Sequence, residues 1–237
     1  MASKQSRIIS TVLSPACRVW LRSQVSQVED LQVKIQGGDR QILRGYIPHV
    51  SISAHHAVYQ GLLLSQIQLI GENIRINLGQ VLKGKPLRLL EPVSVAGQLL
   101  LEEADLKASL QSSLLSTGLN DLLRLLLEAS GVKNSDEVLK YCKINWQQVT
   151  FDADWLTLAG IIIDTTGNTT PVGIRANLTL PSSHELRFDP LEIEISPELL
   201  PGKLDSFQVD LGSEVDIEEL TLVPGQLVCR GRLTVIP

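Results

Sequence analysis

A chain of 237 residues with a net charge of −5, a mean hydropathy of +0.13 and 43% hydrophobic residues can bury a large core, and its acidity argues against a nucleic-acid partner. Its 4% aromatics against 41 leucines make that core aliphatic. No run of about 18 apolar residues occurs, so no transmembrane helix is expected, and Cys17, Cys142 and Cys229 are too few and too scattered for a disulfide scaffold.

Residues 1–28 open the chain with a helical stripe of Ile8, Ile9, Val12, Leu13, Ala16, Val19, Trp20 and Val25, spaced by threes and fours. Pro15 forces a kink or a break, or else Ser14-Pro15 starts a fresh helix at about 15–27. Lys4, Arg7, Arg18 and Arg22 make this stretch basic, with no Asp or Glu before residue 24. Its apolar residues are interrupted by Ser10, Thr11 and Ser14, so it reads as structural and not as a signal peptide.

Residues 30–101 change to a period of two. Leu31, Val33 and Ile35, then Val50, Ile52 and Ala54, then Ile74, Ile76 and Leu78, then Val93, Val95, Gly97, Leu99 and Leu101 describe a meander of half-buried strands, with Gly37-Gly38-Asp39 as a turn. Residues 102–130 return to helical spacing. Leu106, Leu110, Leu114, Leu115, Leu119, Leu122, Leu123, Leu126 and Leu127 form the stripe, Gly118 is the expected bend, and Gly131 the stop. A continuous helix here would span roughly 40 Å. Residues 143–237 alternate again, as in Val172, Ile174, Ala176, Leu178 and Leu180. Asp152 and Asp154 beside Trp155 read as a hairpin turn.

This order predicts an α+β chain, read as a single domain, with two α-then-β halves sharing one sheet. The helices are expected to cover the strands' aliphatic faces.

The segments Gly45 to Ala57 (GYIPHVSISAHHA), Gly61 to Ile76 (GLLLSQIQLIGENIRI) and Leu89 to Leu114 (LLEPVSVAGQLLLEEADLKASLQSSL) carry a resemblance. Each opens on a glycine-led or proline-preceded strand, and the last runs into an acidic helix start. Together they resemble the LmeA-like family of phospholipid-binding proteins, known from actinobacteria and cyanobacteria. The resemblance implies a tubular lipid-binding (TULIP-like) architecture, in which a strongly curved antiparallel sheet wraps around one long and one kinked amphipathic helix and leaves an apolar channel. It also implies a non-catalytic protein that binds, and transfers, phospholipid or another acyl lipid. No export signal or anchor is evident, so the expectation is a cytoplasmic protein, peripheral on a membrane.

The candidate lipid-contacting residues are Leu106, Leu110, Leu114, Leu115, Leu119, Leu122, Leu123 and Leu126, with Val12, Val19 and Trp20 on the first helix. These leucines surround the helix more broadly than one sheet face requires; filling a dry core is the competing reading. An acyl chain of about 16 carbons would contribute on the order of 10 kcal/mol before entropy losses. Lys4, Arg7, Arg18 and Arg22 are the candidate membrane-docking cations, against a merely solvated helix face. No catalytic residue, metal site or cofactor is expected: His49, His55 and His56 lack ligand spacing, and neither GxSxG nor a phosphate loop occurs. The expected partners are an acyl lipid and, transiently, a membrane surface. The alternative function is a protein-interaction or structural module that uses an exposed aliphatic face.

Overall fold

The computed structural model describes residues 13–132, 139, 141–196 and 204–237. Among them, helix α1 (Ser14–Gln24) precedes strand β1 (Asp30–Gln36), helix α2 (Asp39–Leu43), the long hairpin β2 (Tyr46–Tyr59) and β3 (Leu62–Arg75), helix α3 (Leu78–Val81) and β4 (Val93–Glu102). Two helices follow, α4 (Glu103–Ala108) and α5 (Ser113–Ala129). Strands β5 (Lys143–Asp152), β6 (Trp155–Ile163), β7 (Thr169–Ser182), β8 (Glu185–Glu194), β9 (Phe207–Asp210), β10 (Val215–Val223) and β11 (Gln226–Val235) complete the order.

The strands form two antiparallel sheets where one was expected. The first runs β1-β2-β3-β4-β11-β10 and the second β5-β6-β7-β8-β9. The reason is the C-terminal hairpin. Strand β11 pairs along the whole of β4, from Gln226 opposite Glu102 to Val235 opposite Val93, so the second meander is split. The sheets meet where Asp154 donates to the Leu222 carbonyl, Gly225 to that of Phe151, and Ile217 to that of Ser183. The result is predominantly antiparallel sheet with short helices, and the sheets do not close into a barrel.

The long helix expected over 102–130 is two helices, and they separate at Ser109–Ser112, not at Gly118. Serine chemistry explains the position. The Ser109 hydroxyl donates to the Asp105 carbonyl and accepts the Leu63 N–H at 2.8 Å, which ties the first helix to β3. Ser112 then caps α5 by accepting the Leu115 N–H at 3.3 Å. Gly118 lies inside α5, where a Cβ would meet nothing within 4 Å. The helix that remains is about 25 Å long.

Of the two readings of Pro15, the described residues show the fresh helix start and no kink. α1 begins at Ser14, with Pro15 in its first turn, where no intrahelical N–H is needed, and it ends at Gln24. Two further helices appear, α3 in place of predicted strand and α2 at the predicted turn. Strand β3 stops at Arg75, and Leu78 turns inward on α3. Asp39 opens α2 instead of closing a turn; its N-terminus is held by the Gln41 side chain, which accepts the Gly38 N–H at 3.1 Å.

Two cores result. In the larger, Leu123, Leu126 and Leu127 of α5 are sealed with Trp146, Val149, Leu158, Val172, Ile174 and Ala176 of the second sheet. Trp146 donates its indole N–H to Asn120 at 3.0 Å, so even this large ring leaves no unpaired donor. In the smaller, Leu13, Ala16, Cys17, Trp20 and Leu21 close over Val33, Ile35 and Val50 at the β1–β2 end of the first sheet. There Ile42, Leu78 and Leu87 complete the packing.

Candidate functional site

Strand alternation and register together define what each face of the first sheet offers. Three successive rows cross all six strands on one face. The first is Leu31, Ala54, Ile67, Leu99, Cys229 and Leu220. The second is Val33, Ile52, Leu69, Gly97, Gly231 and Ile217. The third is Ile35, Val50, Gly71, Val95, Leu233 and Val215. No charged or amide side chain interrupts them.

The rows are covered unevenly. At β1 and β2 the small core buries Val33, Ile35 and Val50. On the side of α4 and α5, Leu99 packs against the large core, as do Leu101 and Leu222. Between these limits Ile67, Leu69, Val95, Ile217, Leu220 and Cys229 stay only half-buried, and Leu233 is 44% exposed. The described helices leave this part of the aliphatic face only half-buried, where the layer argument made from sequence expected full cover.

Glycines keep the middle of this face low. Gly97 and Gly231 sit opposite one another on β4 and β11. A Cβ on Gly97 would come within 3.0 Å of a Leu69 methyl, so Leu69 leans across the strand beside it. A Cβ on Gly231 would strike the Asp216 carbonyl, where β10 bulges between Ile217 and Glu219.

The opposite face is mostly polar. Gln32, Ser51, Ser53, Gln68 and Gln98 line a shallow hollow of about 460 Å³ together with Lys34, Arg230 and Arg232. Arg230 pairs with Glu219 at 3.2 Å and Arg232 with Glu218 at 3.3 Å. Ile70, 44% exposed, and its neighbour Ala96 also line the hollow, so this face is mixed where the other is unbroken aliphatic.

The helical site residues divide between roles. Leu106, Leu110, Leu123 and Leu126 are buried in the large core. Leu115, Leu119 and Leu122 are half-buried at its margin, and Leu114 is 38% exposed. On α1, Trp20 packs on the small core while Val19 points outward at 69% exposure. Arg22 is exposed. Lys4, Arg7 and Val12, and the side chain of Arg18, lie outside the described residues.

The sheet residues of the open face were visible in the sequence as strands but not as a site. The available signal was numerical: six strands of unbroken apolar parity need more cover than one short helix supplies. The polar frame of the face is firm. Buried Ser65 donates to Asp105 at 2.6 Å and accepts the Glu102 N–H at 2.8 Å, joining β3, β4 and α4. Glu103 accepts the Phe151 N–H at 2.9 Å, which links α4 to the second sheet. Burial pushes the Cys17 thiol up to about 11 and raises that of Cys229, so both remain protonated at neutral pH. The histidines stand apart: His56 is 2.9 Å from Glu29 and His49 3.6 Å from Glu72. Among the described residues no helix is long and apolar enough to cross a membrane.

A family model described as LmeA-like phospholipid-binding matches residues 4–232. No curated protein and no solved structure matches the chain.

Proposed function

Because the chain belongs to the LmeA-like phospholipid-binding family, we propose that it binds a phospholipid by laying acyl chains along the open aliphatic face of the first sheet, between α1 and α5. The observation that carries this reading is the three-row apolar face, sealed at both ends and half-buried in between. Leu69, Val95, Leu99, Cys229 and Leu233 are the floor. Leu115, Leu119 and Leu122, at the margin of the large core, supply one wall, and Trp20 stands toward the other.

The chemistry is binding and not catalysis. A floor of methyl and methylene groups offers an acyl chain dispersion contacts and release of water, at about 25 cal/mol per Å² removed from solvent. The one thiol on it, Cys229, is held protonated by burial. Scarce aromatics suit this role, since flexible aliphatic side chains conform to a mobile chain. Transfer between membranes would follow if the protein also docks on bilayers; Lys4, Arg7, Arg18 and Arg22 in the N-terminal stretch of the sequence are one set of cations suited to that.

The test is organic extraction of the purified protein followed by mass spectrometry. Near-stoichiometric phospholipid is expected; lipid-free protein that also takes up none from vesicles would overturn the reading. Cys229 gives a second readout. With Cys17 and Cys142 replaced by alanine, alkylation of Cys229 should slow when phospholipid is added, because the thiol lies on the proposed floor. An unchanged alkylation rate in lipid-loaded protein would place the ligand elsewhere.

A further inference from the structure

Helices α2 and α3 and the loop that follows them cap the end of the first sheet formed by the start of β2 and the end of β3. Their arrangement is fixed locally. Gly45, at φ +74°, lets β2 begin directly under the Ile76 carbonyl, where a Cβ would collide. The loop after α3 folds back because Asn77 accepts the Arg88 N–H at 2.8 Å and donates to the Pro86 carbonyl at 3.0 Å. Leu90 then donates to the Arg75 carbonyl at 2.9 Å.

This cap exposes two kinds of side chain together. Leu43, Leu82 and Leu90 are 58%, 54% and 59% exposed, while the small core beneath is already full. Arg40, Arg44, Arg75, Lys83, Lys85 and Arg88 are exposed on the same segments. Asp39 and Glu91 are the acids there, so six cations face two acids on a chain whose net charge is −5.

Several arginines elsewhere, Arg124, Arg175, Arg230 and Arg232, are engaged by carboxylates. Arg40, Arg44 and Arg75 have no carboxylate partner among the described residues. With Gln41 and Tyr46 they line a depression of about 370 Å³, and the Arg75 guanidinium lies 5.0 Å from the centre of the Tyr46 ring. Three guanidinium groups left unpaired around a hollow suit phosphate oxygens.

We propose that this cap is a docking surface for an anionic phospholipid bilayer, with Leu43, Leu82 and Leu90 entering the interface and the six cations meeting lipid phosphates. The leucines belong to three separate segments, the end of α2, the residue after α3 and the loop before β4, which favours a deformable apolar layer. Choosing a bilayer over an acidic protein rests on the phospholipid-binding reading above; the placement of the surface does not. The cations on this cap are distinct from those of the N-terminal helix.

The experiment is sedimentation of the full chain with phosphatidylcholine vesicles, with and without phosphatidylglycerol, at low and high salt. Wild type is expected to sediment with the anionic vesicles only, and less at high salt. Arg44→Glu with Lys85→Glu should weaken partitioning at least about tenfold, since each cation near such a surface contributes close to one decade. Arg187→Glu with Lys143→Glu, on the second sheet, makes the same change in net charge and should leave binding unaltered. Leu43→Ser with Leu82→Ser should also weaken binding several-fold at constant charge. Equal binding by the two charge-reversed proteins overturns the proposal, as does failure of wild type to bind anionic vesicles. Loss on charge reversal with indifference to the leucine pair overturns the bilayer as occupant in favour of an acidic protein. Lipid-free protein that still sediments through this cap supports the docking surface while rejecting the acyl-chain reading.

Discussion

The two sheets carry the same sequence signal and end in opposite situations. In the second, alternating Val172, Ile174 and Ala176 lie under α5 and are 2% exposed or less. In the first, alternating Ile67, Leu69, Val95 and Leu233 are no less apolar, yet they remain half-buried or exposed. Period-two alternation reports which face of a strand avoids water; it does not report what will cover that face. The cover is a tertiary matter, and among the described residues one helix seals one sheet while a shorter helix packs only at the β1–β2 end of the other.

Substitutions can break this contrast. Leu126→Ala removes a fully sealed side chain of the large core and should cost about 2–5 kcal/mol in denaturant unfolding; a cost below ~1 kcal/mol would mean that the second sheet is not tightly covered. Ser65→Ala strips a buried hydroxyl from Asp105 and the Glu102 N–H and should cost about 1–3 kcal/mol, read as a lower thermal midpoint. Gly118→Ala, on the open side of α5, should instead stabilise by about 0.5–1 kcal/mol, since a methyl there meets nothing. Leu233→Gln on the first sheet should alter stability by no more than about 0.5 kcal/mol while reducing the phospholipid recovered per protein. A large stability loss at Leu233 would show that the face is structural core.

The smallest effect concerns pH. Hydrogen bonds from the side chains of Thr166 and Asn168, and from their backbone N–H groups, hold Asp164 down at about 2 in the β6–β7 turn. The folded value lies below the ordinary carboxylate value. Its contribution is therefore complete above about pH 4 and is lost as pH falls through about 2. Asp164→Ala should flatten the acid limb of the stability profile only within that window.

Much of the strand pattern was legible. Leu31 to Ile35, Val50 to Ala54 and Val172 to Ala176 form strands because β-branched and aliphatic residues recur at every second position. The turn at Asp152–Trp155 forms as its acids suggest, with Asp154 at φ 63°. The break between α4 and α5 was misplaced because glycine was weighed above serine. Ser109 and Ser112 act through specific hydrogen bonds to β3 and to the helix's own N–H groups, which only the fold provides. The β4–β11 pairing was illegible, because local periodicity carries no information about which strand lies alongside another. The open face follows from that pairing, so the candidate site could be read as strands but not as a surface.

That pairing also has a kinetic side. Leu99 lies opposite Cys229, a partner 130 residues further along the chain. Closing so wide a loop is entropically slow, and folds rich in such distant pairings fold slowly. Until β10 and β11 have been synthesised, β4 presents a bare edge of unpaired amides beside exposed leucines, an invitation to intermolecular strand addition. The nascent chain therefore passes through an aggregation-prone interval that ends when the final hairpin docks, and a ribosome-released fragment stopping before residue 215 should accumulate as insoluble material.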